Sequence, residues 1–61
     1  MTIGKNIADL RKKHGMTQTA LAAELKISNK TVSKWESGTN MPDIGMLPDL
    51  SVIFGVTIDD L

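Results

Sequence analysis

The sequence predicts an all-α fold, a compact bundle of four to five short helices. Apolar residues recur at intervals of three and four, as Ile3, Ile7 and Leu10 do near the start. A Ser or Thr stands before several of these runs, where its hydroxyl can cap the first helical turn. Glycines follow them, where left-handed backbone commonly ends a helix. The length of 61 residues allows one domain, which we expect to span residues 1–61.

The first helix is predicted over residues 3–14. Thr2 supplies its N-cap, and Gly15 ends it. Its last turns are basic, which suits the negative end of the helix dipole; these residues are Arg11, Lys12, Lys13 and His14.

The next two helices are predicted over residues 17–25 and 28–37, joined by a tight corner. Thr17 and Ser28 are the expected N-caps, and Gly38 is the expected left-handed stop. The layout predicts a helix-turn-helix arrangement whose second helix presents a polar outer face.

That second helix has the composition of a helix that reads DNA. Val32 and Trp35 are three residues apart and share one face, so we expect both in the core. Stacking of Trp35 on a base is the less favoured alternative. Apart from Glu36, the remaining side chains carry amide, hydroxyl and ammonium groups, which can bond base edges in the major groove.

The fourth helix is predicted over residues 46–54, because Pro48 lacks an N–H and is tolerated only in a first turn. A last short helix is predicted over residues 58–61. Thr57 would cap it, with Asp60 three residues later as a variant of the capping box. The chain ends inside this element, as expected of a domain cut from a longer protein or of a very small complete one.

The composition narrows the classes of function. With no cysteine, the chain has no disulfide framework or thiolate metal site, which fits a reducing cytosol. No apolar run approaches the ~18 residues of a membrane span, and the N-terminus lacks a signal-peptide pattern. We therefore expect a soluble cytoplasmic protein.

His14, the one histidine, has no second metal ligand near it in sequence. Without a paired nucleophile and base or a phosphate-binding glycine loop, we expect neither an enzyme nor a cofactor.

The charges are unevenly distributed although the net charge is zero. Residues 1–41 carry seven basic and three acidic side chains, a net charge of +4, and residues 42–61 carry four aspartates, a net charge of −4. One basic face is what contact with phosphates requires, and the acidic end could point away. An ordinary solvated mixture of charges is the alternative.

Many residues match the helix-turn-helix domain of the Cro/C1-type (XRE) repressor family in type and spacing. The chain resembles this family from Ile7 to Leu61, which implies a lambda-repressor-like fold and binding to double-stranded DNA. The resemblance is carried by Thr17-Gln18, Leu21-Ala22, Ile27-Ser28, Val32-Ser33, Trp35-Glu36, Gly38, Pro42-Asp43 and Phe54-Gly55-Val56.

The resemblance also implies roles for individual residues. Positions reaching base edges correspond to Asn29, Lys30 and Lys34, and Gln18 corresponds to a residue that touches a phosphate and braces the first reading residue. Arg11 and Glu36 correspond to a pair that often forms an internal salt bridge. The full set of expected DNA-binding residues is Thr17, Gln18, Ser28, Asn29, Lys30, Thr31, Ser33, Lys34, Thr39 and Asn40.

Two residues depart from the family pattern. Lys26 occupies the turn position usually held by glycine, where left-handed backbone costs roughly 1 kcal/mol for another residue. Pro48 shortens the fourth helix.

The leading hypothesis is a sequence-specific DNA-binding domain of a transcriptional regulator, most simply a repressor. Two copies would bind two half-sites as a homodimer, joined by the C-terminal segment that contains Val56, Ile58 and Leu61. The alternative is a protein-interaction, antitoxin or adaptor module on the same fold, which the net charge of zero keeps open.

Overall fold

A computed structural model describes residues 2–61, and this part of the chain is helical without strands. Four α-helices follow one another: α1 (Ile3–Lys13), α2 (Gln18–Leu25), α3 (Asn29–Ser37) and α4 (Leu47–Phe54). A 3-10 turn at Ile44–Met46 precedes α4, and another at Ile58–Asp60 follows it. The predicted all-α bundle is confirmed.

Hydroxyl groups cap the first three helices as predicted. The side-chain oxygens of Thr2, Thr17 and Ser28 accept hydrogen bonds from the N–H groups three residues later, at 3.2, 3.0 and 3.3 Å. Each bond satisfies one of the N–H groups that a helix start leaves without a partner. These caps hold the starts of α2 and α3 in place.

The fourth helix differs in detail from the prediction. Its α-helical part begins at Leu47 rather than at residue 46, because the preceding residues form the tighter 3-10 turn. Pro48 lies in the first helical turn, where no N–H is needed. The last element is a single 3-10 turn, in which the Thr57 N–H donates to the Asp60 carboxylate at 3.4 Å.

One apolar core joins all the helices. The side chains of Ile7, Leu21, Val32 and Leu50 are fully buried, and Trp35 is only 4% exposed. The prediction that Trp35 belongs to the core is confirmed, and stacking of its ring on a base is excluded in this arrangement. The other buried core residues are Ala22, Leu25, Phe54 and Leu61.

Helix α3 packs against both α1 and α2. The contact with α1 is unusually close at Gly4, where an added Cβ atom would stand 1.9 Å from the backbone oxygen of Trp35. Only a glycine allows the two backbones to approach this far. Gly4 therefore sets the distance at which α3 sits on α1.

The corner between α2 and α3 contains one strained residue. Lys26 ends α2 in the left-handed conformation, with φ 59° and ψ 42°. Its N–H donates to the Ala23 carbonyl, and the Ile27 N–H donates to the Ala22 carbonyl. The turn therefore keeps the shape expected of a glycine stop, and the chain accepts the cost of a lysine there.

None of the helices within residues 2–61 has the length and apolar character needed to cross a membrane.

Candidate nucleic-acid interface

The outer face of α3 is polar and open to solvent. Asn29, Lys30, Ser33 and Lys34 are all exposed, and they lie opposite the buried Val32 and Trp35 described above. Because side chains three and four apart share a helix face, Lys30, Ser33 and Lys34 form one continuous row. The structure therefore brings most of the expected reading residues together on one surface.

Two of the expected residues hold the start of this helix. The Ser28 hydroxyl caps the Thr31 N–H and lies 3.1 Å from the Thr31 hydroxyl. Thr31 is half-buried, whereas Ser28 is exposed. The first two N–H groups of the helix, those of Asn29 and Lys30, have no carbonyl partner within it and point outward, an arrangement that suits an anion.

The start of α2 offers a similar arrangement. The Thr17 hydroxyl caps the Ala20 N–H, and the N–H groups of Gln18 and Thr19 open the helix. Gln18 is half-buried, and its amide nitrogen donates to Oε1 of Glu36 at 3.0 Å. An amide carries two N–H bonds and a carbonyl, so one N–H and the oxygen of Gln18 are left for other partners.

The predicted pair of Arg11 and Glu36 is confirmed. Nε of Arg11 donates to Oε2 of Glu36 at 2.7 Å, and the Arg11 Nη2 atom donates to Oε1 at 3.0 Å. Nη1 of Arg11 also donates to the Met16 carbonyl at 2.8 Å. The charged side chains are only 11% and 10% exposed. This network ties α1, the start of α2 and the end of α3 together.

This network shifts the pKa values of both Glu36 and Arg11. Burial disfavours the charged Glu36 carboxylate, but the hydrogen bonds from Arg11 and Gln18 outweigh that effect, so the pKa of Glu36 lies below its ordinary value. The hydrogen bond to Glu36 raises the pKa of Arg11. Both groups are therefore charged at neutral pH.

The loop after α3 carries the remaining expected residues, Thr39 and Asn40, and both are exposed. Their N–H groups donate to the Lys34 carbonyl at 3.0 and 3.2 Å. The Thr39 hydroxyl lies 2.9 Å from that of Ser37. The loop is thus tied to the end of α3 and lies next to its exposed face.

The expected dimer surface needs a correction. Leu61 is 9% exposed and packs into the core of its own chain, where its carbonyl accepts a hydrogen bond from the Asn6 amide at 2.7 Å. Val56 is half-buried, and Ile58 is 45% exposed. Leu61 is therefore a core residue here, because the final 3-10 turn folds back onto α1.

Two features of the site were not anticipated from the sequence. The Gln18–Glu36 bond joins residues that are 18 positions apart, and no spacing rule connects them. Gly4 lies inside a helix, and an interior glycine is the one signal that could have marked a close helix contact. Within residues 2–61, no group of three histidine or acidic side chains is arranged to hold a metal ion.

Comparisons with known proteins agree with this geometry. A sequence profile described as helix-turn-helix matches residues 7–61. The chain is 39% identical, over its whole length, to the HTH-type transcriptional activator BcrR of Enterococcus faecalis, and 36% identical to the HTH-type transcriptional regulator ImmR of Bacillus subtilis. It is also 36% identical, over 97% of its length, to the antitoxin PezA of Streptococcus pneumoniae.

The chain spans 30%, 48% and 37% of the lengths of these three proteins, respectively. The match to the family, in contrast, covers all four helices apart from the first turn of α1. This chain belongs to the Cro/C1-type (XRE) helix-turn-helix family.

Proposed function

We propose that this chain is a DNA-binding regulatory domain that reads duplex DNA by placing α3 in the major groove. One observation carries the proposal: the row of Lys30, Ser33 and Lys34 is exposed on a helix whose opposite face is buried. A major groove is wide enough to admit a helix. Asn29 suits a bidentate bond to adenine, and the two lysines suit guanine or a phosphate.

Groups around α3 supply the phosphate contacts that would position this helix on the duplex. The open N–H groups at the starts of α2 and α3 are natural partners for phosphates. The free N–H of Gln18 lies in the same region, held by Glu36. The exposed loop residues Thr39 and Asn40 would meet the backbone on the other side of the groove. Together they fix the register of α3 on the duplex.

Useful specificity needs two copies of the domain. A single small domain makes few contacts, and non-specific affinities of such modules are about 10⁻⁴–10⁻⁶ M at physiological salt. Two copies on half-sites about one helical turn apart would add their contacts. Ile58 and Val56 remain the candidates for contact between the two copies. Leu61 is no longer a candidate, because it lies in the core of its own chain.

A selection from random duplexes, followed by titration of the winning sequence, tests the proposal. Asn29→Ala and Lys34→Ala should each weaken binding by about 1–3 kcal/mol where the side chain bonds a base, and should relax the preference at that base pair. Lys13→Ala is a matched control, because Lys13 is also an exposed lysine but lies outside α3. Unchanged affinity and unchanged preferred sequence in both α3 variants would contradict the assignment.

A protein-interaction module is the second candidate, favoured by the similarity to an antitoxin and by the net charge of zero. Salt dependence separates the two. Binding that neutralises several phosphates weakens steeply with salt, with a slope of about −0.9 per phosphate. A protein partner would give a shallow dependence, and duplex DNA would then leave the NMR signals of Asn29, Lys30 and Lys34 unmoved.

A further inference from the structure

A groove of about 460 Å³ runs beside α3. Trp35 forms part of its wall, and two of the expected DNA-binding residues, Thr31 and Asn40, line it as well. Asp43 lies on the same groove. The acidic half of the chain therefore does not point away entirely, because one of its carboxylates stands next to the expected DNA-binding surface.

Within the described part of the chain, the Asp43 carboxylate takes part in no hydrogen bond or ion pair. The residue has the extended backbone of an N-cap, with φ −63° and ψ 153°, yet its side chain caps no N–H of the turn Ile44–Met46. Among residues 2–61, the ion pairs join Lys5 to Asp9 and Arg11 to Glu36, and neither involves Asp43. The side chain is exposed. Its negative charge therefore interacts electrostatically with any ligand that occupies the groove.

Resting on the proposed function, we propose that Asp43 limits the affinity of this surface for the phosphate backbone of any duplex. A phosphate that contacts the Thr39–Asn40 loop would approach a carboxylate that forms no ion pair within residues 2–61. For two charges about 7 Å apart in water, the repulsion weakens binding by about threefold. The penalty applies to any duplex, so tight binding requires the additional base contacts of α3.

Four proteins test this inference: the unchanged chain, Asp43→Asn, Asp43→Ala and Asp59→Asn. Asp59 is a matched control, because it is also exposed and loses the same charge, but it lies in the final 3-10 turn and outside this groove. Their affinities are measured by fluorescence anisotropy for a random-sequence 20-bp duplex at 50 and 200 mM salt. The selected duplex is titrated alongside.

We expect Asp43→Asn to bind the random duplex about threefold more tightly than the unchanged chain, with the gain shrinking at the higher salt concentration. Asp59→Asn should stay close to the unchanged chain. Because asparagine can cap a helical turn and alanine cannot, Asp43→Ala serves as a second neutral variant, and the melting temperature of each protein is recorded. Equal gains in the alanine and asparagine variants support an effect of charge.

Two results would overturn this inference and leave the proposed function intact. They are equal affinities of Asp43→Asn and Asp59→Asn, or weaker binding after the change at Asp43. The second result would mean that the carboxylate accepts a bond from DNA, as it can from a cytosine amino group. If the unchanged chain bound neither the random nor the selected duplex, the proposed function and this inference would both fail.

Discussion

Arg11 and Glu36 form a two-bond ion pair between α1 and α3, with nitrogen–oxygen distances of 2.7 and 3.0 Å. Gln18 adds a third hydrogen bond to the same carboxylate from the start of α2. All three helices that carry or support the candidate interface therefore meet at one acidic side chain. The position of α3 depends on a charge that is almost removed from water.

Glu36→Ala should destabilise the protein strongly. Breaking a buried ion pair by removing one partner costs about 3–5 kcal/mol, because the other charge stays buried and unpaired. The whole stability of a 61-residue domain is about 3–9 kcal/mol, so this loss would remove a large part of it. Urea unfolding followed by circular dichroism measures the loss.

The double variant Arg11→Met, Glu36→Met is the control for this prediction. It removes both charges, and replacing an ion pair by apolar residues is often neutral or stabilising. The double variant should therefore lose less stability than the sum of the two single variants. Additive losses, or an unchanged melting temperature in Glu36→Ala, would contradict the role given to the pair.

Stability should also fall on acidification through Glu36. The folded-state pKa of this group lies below its ordinary value of 4.5, so the unfolded chain binds the proton more readily. The contribution of the pair is complete above that ordinary value and is lost as the pH falls through the folded-state pKa. Urea midpoints measured from pH 7 to pH 3 should decline more steeply for the unchanged chain than for Glu36→Gln. Parallel curves would be evidence against this coupling.

Gly4→Ala should destabilise the contact of α1 with α3. Alanine is the better helix former by about 1 kcal/mol, but its Cβ would overlap the Trp35 carbonyl oxygen, a backbone atom that cannot rotate away. Overpacking of this kind typically costs 1–3 kcal/mol, and we expect a net loss. Gly45→Ala is the control, because a Cβ at Gly45 would meet no atom within 4 Å. Its melting temperature should hardly change, and equal melting temperatures for both variants would contradict the close contact.

Local signals in the sequence predict most of the fold. The hydroxyl of Ser28 and the spacing of Val32 and Trp35 act within one or two helical turns, so the start and the buried face of α3 could be read from neighbouring residues. The same rules place the polar residues of α3 outside. The local pattern therefore predicts which surface is free to bind.

The features that the sequence did not predict come from contacts between distant residues. Gly4 meets Trp35 only because α1 and α3 cross there, and Leu61 is buried only because the final turn folds onto α1. Tertiary packing decides the contacts of Gly4 and Leu61, and the spacing of residues along the chain does not predict them.

Replacing Lys26 by glycine should relieve the left-handed backbone at the end of α2. Left-handed backbone costs a residue with a Cβ atom roughly 1 kcal/mol or more, and glycine avoids this cost but loses more freedom on folding. Lys26→Gly should therefore be as stable as the unchanged chain or up to about 1 kcal/mol more stable. Lys26→Ala keeps the strained backbone and removes the side chain beyond Cβ with its charge, so it should be less stable than Lys26→Gly. Thermal melting of the three proteins measures the order.

The same two variants separate the backbone from the charge in DNA binding. Lys26 is exposed, and the groove that it lines lies between α2 and α4, bordered also by Glu24 and Asp49. That groove contains no residue of α3, so the ammonium group should lie away from the duplex. We expect both variants to keep the affinity and the salt dependence of the unchanged chain. A salt slope reduced by about 0.9 in both would show instead that Lys26 neutralises a phosphate.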